Sequence, residues 1–333
     1  MISLTRIAII AALLFGCATD DSVNPVSAVD QGNQYARDGL LREAAQSYRK
    51  ALTKDAANVV AHRNLGLIYI KTGEYKKAIL HLQKALPKFR DNFETNFYLA
   101  QALRAEERYG DAIYYYKIAL EQKPGDPKTL KALAWSNYKI RYYTEAFRLV
   151  TDLQKVANDD VQTHIITARV LLKMQKEKKA LVVIKNAQTL AKKSELPYLQ
   201  SVEGDVLMAM KKWDEAQKSY RAALKEQPLL AGSLLGLGRS LIETGQRTDQ
   251  AIVYIERALR IKPQLKEGLF DLGKFYEKSD PKRSARYYRS FKKQAASDPE
   301  FADEVAAVTA KLNDMEKKSG KPEKPTEELE GQL

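Results

Sequence analysis

Cysteine and histidine are scarce in this sequence, and the familiar motifs of catalytic sites are missing. Its 333 residues include one cysteine and three histidines. A single cysteine excludes an intrachain disulfide. We expect His62, His81 and His164 to be structural or surface histidines, and we predict no metal site. Without a Gly-rich phosphate loop, a G-x-S-x-G motif or an H-E-x-x-H motif, the sequence predicts neither an enzyme nor a cofactor.

Long apolar runs are also missing, except at the amino terminus. There the run from Ile7 to Phe15 follows a single positive charge, Arg6. This run is too short to span a bilayer as a helix, and its flanks match a secretory signal peptide. The sequence therefore predicts a signal peptide over residues 1–16.

The only cysteine follows this apolar run. Leu14-Phe15-Gly16-Cys17 resembles the bacterial lipobox, in which the cysteine thiol is lipidated and becomes the first mature residue. A general signal peptide with a coincidental cysteine is the alternative. The inner-membrane retention signal of lipoproteins is usually an aspartate after the cysteine, where this chain has Ala18. The resemblance therefore implies a lipid anchor at Cys17, a tether over residues 17–27, and the periplasmic face of the outer membrane.

The charge of the chain is strongly positive. The formal net charge is +13 and the isoelectric point is about 9.4. Acidic partners or anionic surfaces are the expected counterparts of such a charge. Nucleic acid is not an expected partner, because the predicted signal peptide directs the chain to export.

Small residues recur at a fixed interval of 34 positions. One series is Gly32, Gly66, Ala100, Ala134 and Ala168, and another is Ala44, Ala78, Ala112, Ala146 and Ala180. This period, with the segment NLGLIYIKTGEYKKAILHLQKAL, resembles the tetratricopeptide repeat, a helix–turn–helix unit. The resemblance implies an all-α fold, a right-handed solenoid of about eight repeats.

The repeats cover most of the chain. We assign residues 25–299 to eight units: 25–58, 59–92, 93–126, 127–160, 161–196, 197–230, 231–265 and 266–299. Apolar residues then continue at helical spacing from Phe301 to Met315, which predicts a capping helix over residues 300–317. Residues 318–333 have almost no apolar content and are expected to be disordered.

A solenoid of this family offers a concave groove lined by the first helix of each unit. The resemblance implies that positions 2, 5, 6, 9, 12 and 13 of a unit face this groove, where aromatic residues alternate with positive charges. Packing within the helix pairs is the alternative role for the aromatics. The predicted groove residues are Arg63, Phe97, Tyr98, Gln101, Arg104, Lys131, Trp135, Tyr138, Lys139 and Arg169.

Two further groups of residues concern the kind of partner that the chain binds. Chaperone-binding relatives use a carboxylate clamp of Lys and Asn, of which Asn33 and Asn64 match two positions. Val29 and Glu94 replace the required lysines, so the clamp function is not expected. A basic surface that contacts anionic phospholipid or an acidic partner is predicted on residues 281–294, and a solvated end helix is the alternative. Its four cations are Lys282, Arg286, Arg289 and Lys293.

These features together predict a membrane-anchored, non-catalytic scaffold that binds an envelope protein through a segment with acidic residues. The plan is similar to that of type IV pilus pilotins, which carry fewer repeats. An adaptor that docks peptidoglycan hydrolases or synthases is the alternative. A direct glycan binder or an enzyme subunit is a third alternative, and the sequence leaves the oligomeric state open.

Overall fold

The computed structural model describes residues 25–156, 160–245 and 248–319, and these residues form seventeen α-helices, one short 3-10 turn and no strand. The signal peptide, Cys17 and most of the predicted tail lie outside the described residues. The helices are α1 (Pro25–Arg37), α2 (Leu41–Lys54), α3 (Val59–Thr72), α4 (Tyr75–Phe89), α5 (Phe93–Ala105), α6 (Tyr109–Gln122), α7 (Pro127–Lys139), α8 (Tyr143–Val156), α9 (Val161–Lys173), α10 (Glu177–Leu190), α11 (Leu196–Ala209), α12 (Trp213–Glu226), α13 (Ala231–Glu243), α14 (Thr248–Ile261), α15 (Lys266–Tyr276), α16 (Pro281–Ala295) and α17 (Ala302–Ser319).

The helices pack in pairs. Each odd-numbered helix from α1 to α15 packs against the even-numbered helix that follows it, which makes eight helix–turn–helix repeats. The predicted all-α fold with eight repeats is therefore confirmed. The repeats form two compact units: the first contains α1 to α8, and the second contains α9 to α17.

Short polar side chains begin several of the first helices. Asn58 accepts a hydrogen bond from the Ala61 amide at 2.9 Å, and Asn92 accepts one from the Thr95 amide at 3.0 Å. These caps satisfy amide groups that have no partner within the helix. Asp126 and Asp160 cap α7 and α9 in the same way.

The turn between the two helices of a repeat requires one residue with left-handed backbone. Gly39 and Gly73 supply it, each with φ of 77°. Gly245 supplies it in the seventh repeat, with φ of 66°. In the third to sixth repeats a residue with a side chain occupies this position; these residues are Glu107, Arg141, Gln175 and Lys211, with φ between 57° and 68°. Such backbone angles are strained for residues other than glycine.

Small residues let the helices of a repeat approach closely, as the 34-residue series predicts. A Cβ atom placed on Gly32 would lie 2.6 Å from the Tyr48 ring. In the second unit the ring of Tyr220 packs against two helices, so that a Cβ atom on Gly236 would lie 2.2 Å from it. In the core of each unit, large aromatic rings therefore pack directly against glycines and alanines.

The last helix covers the end of the second unit. Val308 and Leu312 of α17 are buried against α16, and Phe301 packs against Phe291 with ring centroids 5.7 Å apart. This confirms the predicted capping helix. The 3-10 turn before α17 also reaches back to the start of the unit, because its Glu300 forms an ion pair with Lys173 at the end of α9. Among the described residues, no helix is both long and apolar enough to cross a membrane.

Candidate functional site

The first helices of the first unit form a continuous face. Helix α3 contacts α1 and α5, and α5 also contacts α7. Side chains that point away from the second helices on these four elements therefore share one surface, which we call the groove.

A cleft of about 410 Å³ opens in this groove between α1, α3 and α5. Its polar lining includes Asn33 and Arg37 of α1, Asn64 and Lys71 of α3, and Tyr98 of α5. Its apolar wall comes from Ala36, Leu67, Ile68 and Ile70. We call it the groove cleft.

Hydrogen bonds fix the polar floor of the groove cleft. The Tyr48 hydroxyl and the Asn64 amide nitrogen both donate to Asn33 Oδ1, each at 2.8 Å. Burial raises the pKa of Tyr48, so its hydroxyl stays protonated and can donate. Because Asn33 Oδ1 already accepts two hydrogen bonds, the Asn33 amide nitrogen is left to donate into the cleft.

Positive charge lies at the rim of the groove cleft. Arg37 is exposed, and its Nη2 donates to Gln34 Oε1 at 2.7 Å. Lys71 is exposed too and forms no hydrogen bond or ion pair with the residues that the structure describes. The one carboxylate of the cleft, Glu94, is paired with Arg63 at 2.5 Å. The cleft therefore presents mainly hydrogen-bond donors.

Arg63, a predicted groove residue, has a different role from the one expected. Besides the ion pair with Glu94, its Nε donates to Thr95 Oγ1 at 3.1 Å, and its guanidinium lies 5.2 Å from the centroid of the Phe89 ring. Its side chain is 17% exposed. Arg63 thus joins α3 to α5, and its charge is balanced within the protein.

The predicted aromatic residues form two clusters on neighbouring helices. On α5, Phe97 stacks on Phe93 with centroids 5.7 Å apart and meets the edge of Tyr98 at 5.3 Å. On α7, Trp135 and Tyr138 stack with centroids 5.2 Å apart. All five rings are only partly buried, so each keeps a surface for contact with a partner.

Cations accompany these aromatic clusters. Lys139 is exposed, and its Nζ lies 5.6 Å from the Tyr109 ring centroid and 5.9 Å from that of Trp135. Arg104 of α5 has a buried Nε with no hydrogen-bond partner among the described residues. The remaining predicted residues of this unit, Gln101 on α5 and Lys131 on α7, are partly buried.

Arg169 lies on α9 of the second unit, whereas the other predicted groove residues belong to the first unit. Its charge acts on a partly buried pair of the same unit, in which the Tyr220 hydroxyl donates to Asp205 Oδ1 at 2.8 Å. Burial raises the pKa of Asp205, and the nearby Arg169 charge opposes that rise. A second carboxyl, Asp271, has its pKa raised to about 6 by burial, although Arg239 Nε lies 3.1 Å from it.

The histidine pairing was not anticipated. His62 Nδ1 and His81 Nδ1 lie 2.8 Å apart, and His62 Nε2 lies 3.0 Å from the Ala56 carbonyl oxygen. Because a carbonyl only accepts, His62 donates from Nε2 and accepts at Nδ1, so His81 donates to it. Burial, aided by the charges of His62 and Lys84, lowers the pKa of His81 to about 4. Among the described residues, no third metal-binding side chain joins the pair.

The predicted basic surface lies on α16. Lys282, Arg286 and Lys293 are exposed. Arg289 is partly buried, with its Nη2 3.5 Å from Glu316 of α17, so part of its charge is balanced. Membrane binding by this surface stays a prediction.

Arg37 and Lys71 are not among the groove residues predicted from the sequence. Asn33, Arg37 and Lys71 occupy positions 9, 13 and 13 of their repeats, which are among the groove positions of the family. The sequence signal for these residues is therefore their position within the first two repeats.

Comparison with known sequences identifies tetratricopeptide repeats in the chain. A family model described as tetratricopeptide repeat matches residues 35–102, and a second with the same description matches residues 82–127 and 202–266. Protein O-mannosyl-transferase Tmtc2 of Drosophila melanogaster is 38% identical over 61 residues, which are 18% of this chain and 6% of that protein. Tetratricopeptide repeat protein 28 of Mus musculus is 33% identical over 111 residues, 32% of this chain and 4% of that protein. The chain therefore spans only a small part of these relatives.

Solved structures share the fold at low identity. A tetratricopeptide repeat protein from Parabacteroides merdae has a TM-score of 0.62 and 16% identity, over 74% of this chain and 98% of that one. Yeast Tom70 has a TM-score of 0.61 and 15% identity, over 94% of this chain and 68% of that one. The eight helix pairs, the 34-residue period and the family matches agree: this chain belongs to the tetratricopeptide repeat family.

Proposed function

We propose that the chain is a non-catalytic scaffold that binds another protein in the groove of its first unit. The groove cleft carries this proposal, because Asn33, Arg37 and Lys71 surround an apolar wall of about the size that a few side chains of a peptide would fill. Repeats of this family provide long concave surfaces for protein partners. The match to an O-mannosyl-transferase covers only 61 residues, 6% of that protein, so we propose no transferase activity for this chain.

The chemistry of the groove favours a partner segment with acidic residues. Donors and cations at the rim suit carboxylate side chains and backbone carbonyl groups. The stacked aromatics on α5 and α7 offer the type of side chain that contributes most to protein interfaces. The rim charges are expected to speed the encounter and to select against basic segments.

Site-specific crosslinking tests where the partner binds. A photoreactive phenylalanine is placed at Tyr98, in the groove cleft, and in a second chain at Tyr114, which is 57% exposed on the second helix α6. Illumination in cells is expected to give a protein adduct from position 98 and none from position 114. Equal adducts from both positions would refute a specific groove.

Two sets of variants test the contributions separately. Charge reversal by Arg37→Glu with Lys71→Glu is expected to weaken binding of the crosslinked partner about tenfold or more, because both side chains are exposed and the rim would become acidic. Trp135→Ala with Tyr138→Ala is expected to weaken it further while leaving helicity nearly unchanged, at about 2 kcal/mol for a hot spot. If the aromatic double variant unfolds, these rings are packing residues. If it stays folded and binds normally, the groove is not the site.

We also propose that Cys17 anchors the protein to the periplasmic face of the outer membrane. The support is its place in Leu-Phe-Gly-Cys after an apolar run, and several acyl chains together give stable anchoring. Cys17→Ser is expected to leave an unprocessed precursor or to release the protein from membranes. Normal processing with unchanged fractionation would exclude the anchor.

The identity of the crosslinked partner separates the pathways. A secretin or pilus component would support a pilotin-like role in assembly. A peptidoglycan hydrolase or synthase would support an adaptor for cell-wall enzymes, and recovery of glycan strands without protein would contradict the scaffold.

A further inference from the structure

A second cleft, of about 250 Å³, lies between α12, α13 and α14 of the second unit. Arg221 and Lys225 enter it from the last turns of α12, and Arg257 enters it from α14. Leu234 and Leu237 of α13 form a buried apolar floor. Pro228, in the loop that joins α12 to α13, closes one side of it. We call it the edge cleft.

Within the described part of the chain, the three cations of the edge cleft have no acidic partner. None of the residues that line the cleft is acidic, and the three cations form no hydrogen bond or ion pair with any residue that the structure describes. Arg257 is partly buried. By contrast, Lys212 at the start of α12 is 2.8 Å from Glu215. Arg221 and Lys225 are exposed. Three cations that line one cleft without an acid form a site for an anionic group.

The surface around the edge cleft is apolar as well as basic. Leu229, next to Pro228, is 71% exposed, and Leu190 and Ile261 at the ends of α10 and α14 are 60% and 43% exposed. Because α10, α12 and α14 are the second helices of consecutive repeats, their ends lie along the same edge of the stack. Exposed cations lie beside these residues; they are Lys192, Lys193, Arg260 and Lys262.

We propose that this edge of the second unit binds the surface of an anionic phospholipid bilayer, with a lipid phosphate in the edge cleft. Arg221, Lys225 and Arg257 bind the phosphate, and Leu229 enters the boundary between headgroups and acyl chains. Free phosphate shares the charge of this ligand but gives no role to the exposed leucines. Apolar tips flanked by lysine and arginine are typical of proteins that lie on a membrane.

This inference does not depend on the groove, which lies on other helices, nor on Cys17. The purified chain carrying Cys17→Ser is therefore a suitable test protein. It is mixed with phosphatidylcholine vesicles that contain about 30% phosphatidylglycerol, at about 150 mM salt, where long-range attraction is screened within roughly 8 Å. Binding is measured by co-sedimentation over a range of lipid concentrations.

Charge-matched variants locate the binding surface. Arg221→Gln, Lys225→Gln and Arg257→Gln together are expected to lower vesicle affinity roughly 100-fold, as three cations near an anionic surface would. The comparison variant, Lys282→Gln, Arg286→Gln and Lys293→Gln, removes the same charge from the predicted basic surface on α16. The edge cleft is expected to contribute most of the binding, so this variant is expected to lose less affinity. Equal losses in the two variants would refute the edge cleft as the site.

Two further measurements keep the proposal falsifiable if the triple variant unfolds. Leu229→Ser changes only an exposed loop residue and is expected to weaken vesicle binding several-fold. Unchanged binding by this variant would contradict insertion of the loop. Inorganic phosphate is then titrated into the chain: if it binds at Arg257 by nuclear magnetic resonance while vesicles do not bind, the site takes a soluble phosphate and the membrane proposal is overturned.

Discussion

The pairing of His62 with His81 predicts that acid destabilises the first unit. Burial lowers the pKa of His81 from 6.5 to about 4. Between these values the unfolded chain binds a proton at this site and the folded chain does not. The stabilisation is therefore complete above pH 6.5 and is lost as the pH falls from 6.5 through about 4.

The loss of unfolding free energy follows from the difference between the folded and unfolded pKa values of His81 and from the exposure of its side chain. Each unit of pKa difference corresponds to about 1.4 kcal/mol, and between pH 7 and pH 5 the full difference would remove about 2 kcal/mol. His81 is only half-buried, so solvent screening reduces this to about 1 kcal/mol.

The perturbation is His81→Asn, whose amide nitrogen can still donate to His62 Nδ1 but which does not titrate. Urea unfolding is followed by circular dichroism at pH 7, 6 and 5, with hydrogen exchange of α3 and α4 to confirm which helices respond. The parent chain is expected to lose about 1 kcal/mol more than the variant between pH 7 and pH 5. His164→Asn, on α9 of the other unit, controls for the loss of a histidine and is expected to behave as the parent. Parallel losses in the parent and His81→Asn would refute the reasoning.

Three further variants test other features by urea unfolding. Arg141→Gly, at φ of 68°, is expected to stabilise the first unit by about 0.5–1 kcal/mol, because it removes backbone strain; no gain would show that the turn is relaxed. Gly236→Ala is expected to destabilise the second unit by about 1–3 kcal/mol through its clash with Tyr220, whereas Gly232→Ala, whose Cβ atom would meet only Ser201 Oγ at 3.9 Å, should not; equal effects would contradict the close packing. Asp271→Asn is expected to stabilise the second unit at pH 7 by about 1–2 kcal/mol and to have no effect at pH 4, because a pKa raised to about 6 makes the charged carboxyl unfavourable in the fold; a gain that persists at pH 4 would point to another cause.

The fold could be predicted because each repeat is defined by residues that lie close together in the sequence. Gly32 and Gly66 belong to a series that repeats at 34 residues, and this spacing alone sets the helix pairs. Arg141 occupies the repeat position that Gly39 and Gly73 hold in the first two repeats, and the structure gives it the same left-handed backbone. The capping helix followed from the apolar spacing after Phe301.

The sites were less predictable because they depend on which side chains face each other across helices. His62 and His81 are 19 positions apart, and only the crossing of α3 and α4 brings their rings together. Arg63 carries the charge expected of a groove residue, but a neighbouring carboxylate, Glu94, binds it. The free charge of Arg257 likewise depends on the absence of acids among its spatial neighbours in the described structure, which a one-dimensional pattern does not contain.

The ion pair between Lys173 and Glu300 has a mechanical consequence. When each repeat of a stack touches only its neighbours, the stack can extend by small rotations at every interface between repeats. In the second unit, this contact ties the first helix of the fifth repeat to a turn that follows the eighth, 127 positions later. Extension of the second unit must therefore break the Lys173–Glu300 ion pair before the repeats can rotate relative to one another. An exposed ion pair contributes about 1 kcal/mol or less and is screened by salt, so the compliance of the unit depends on ionic strength.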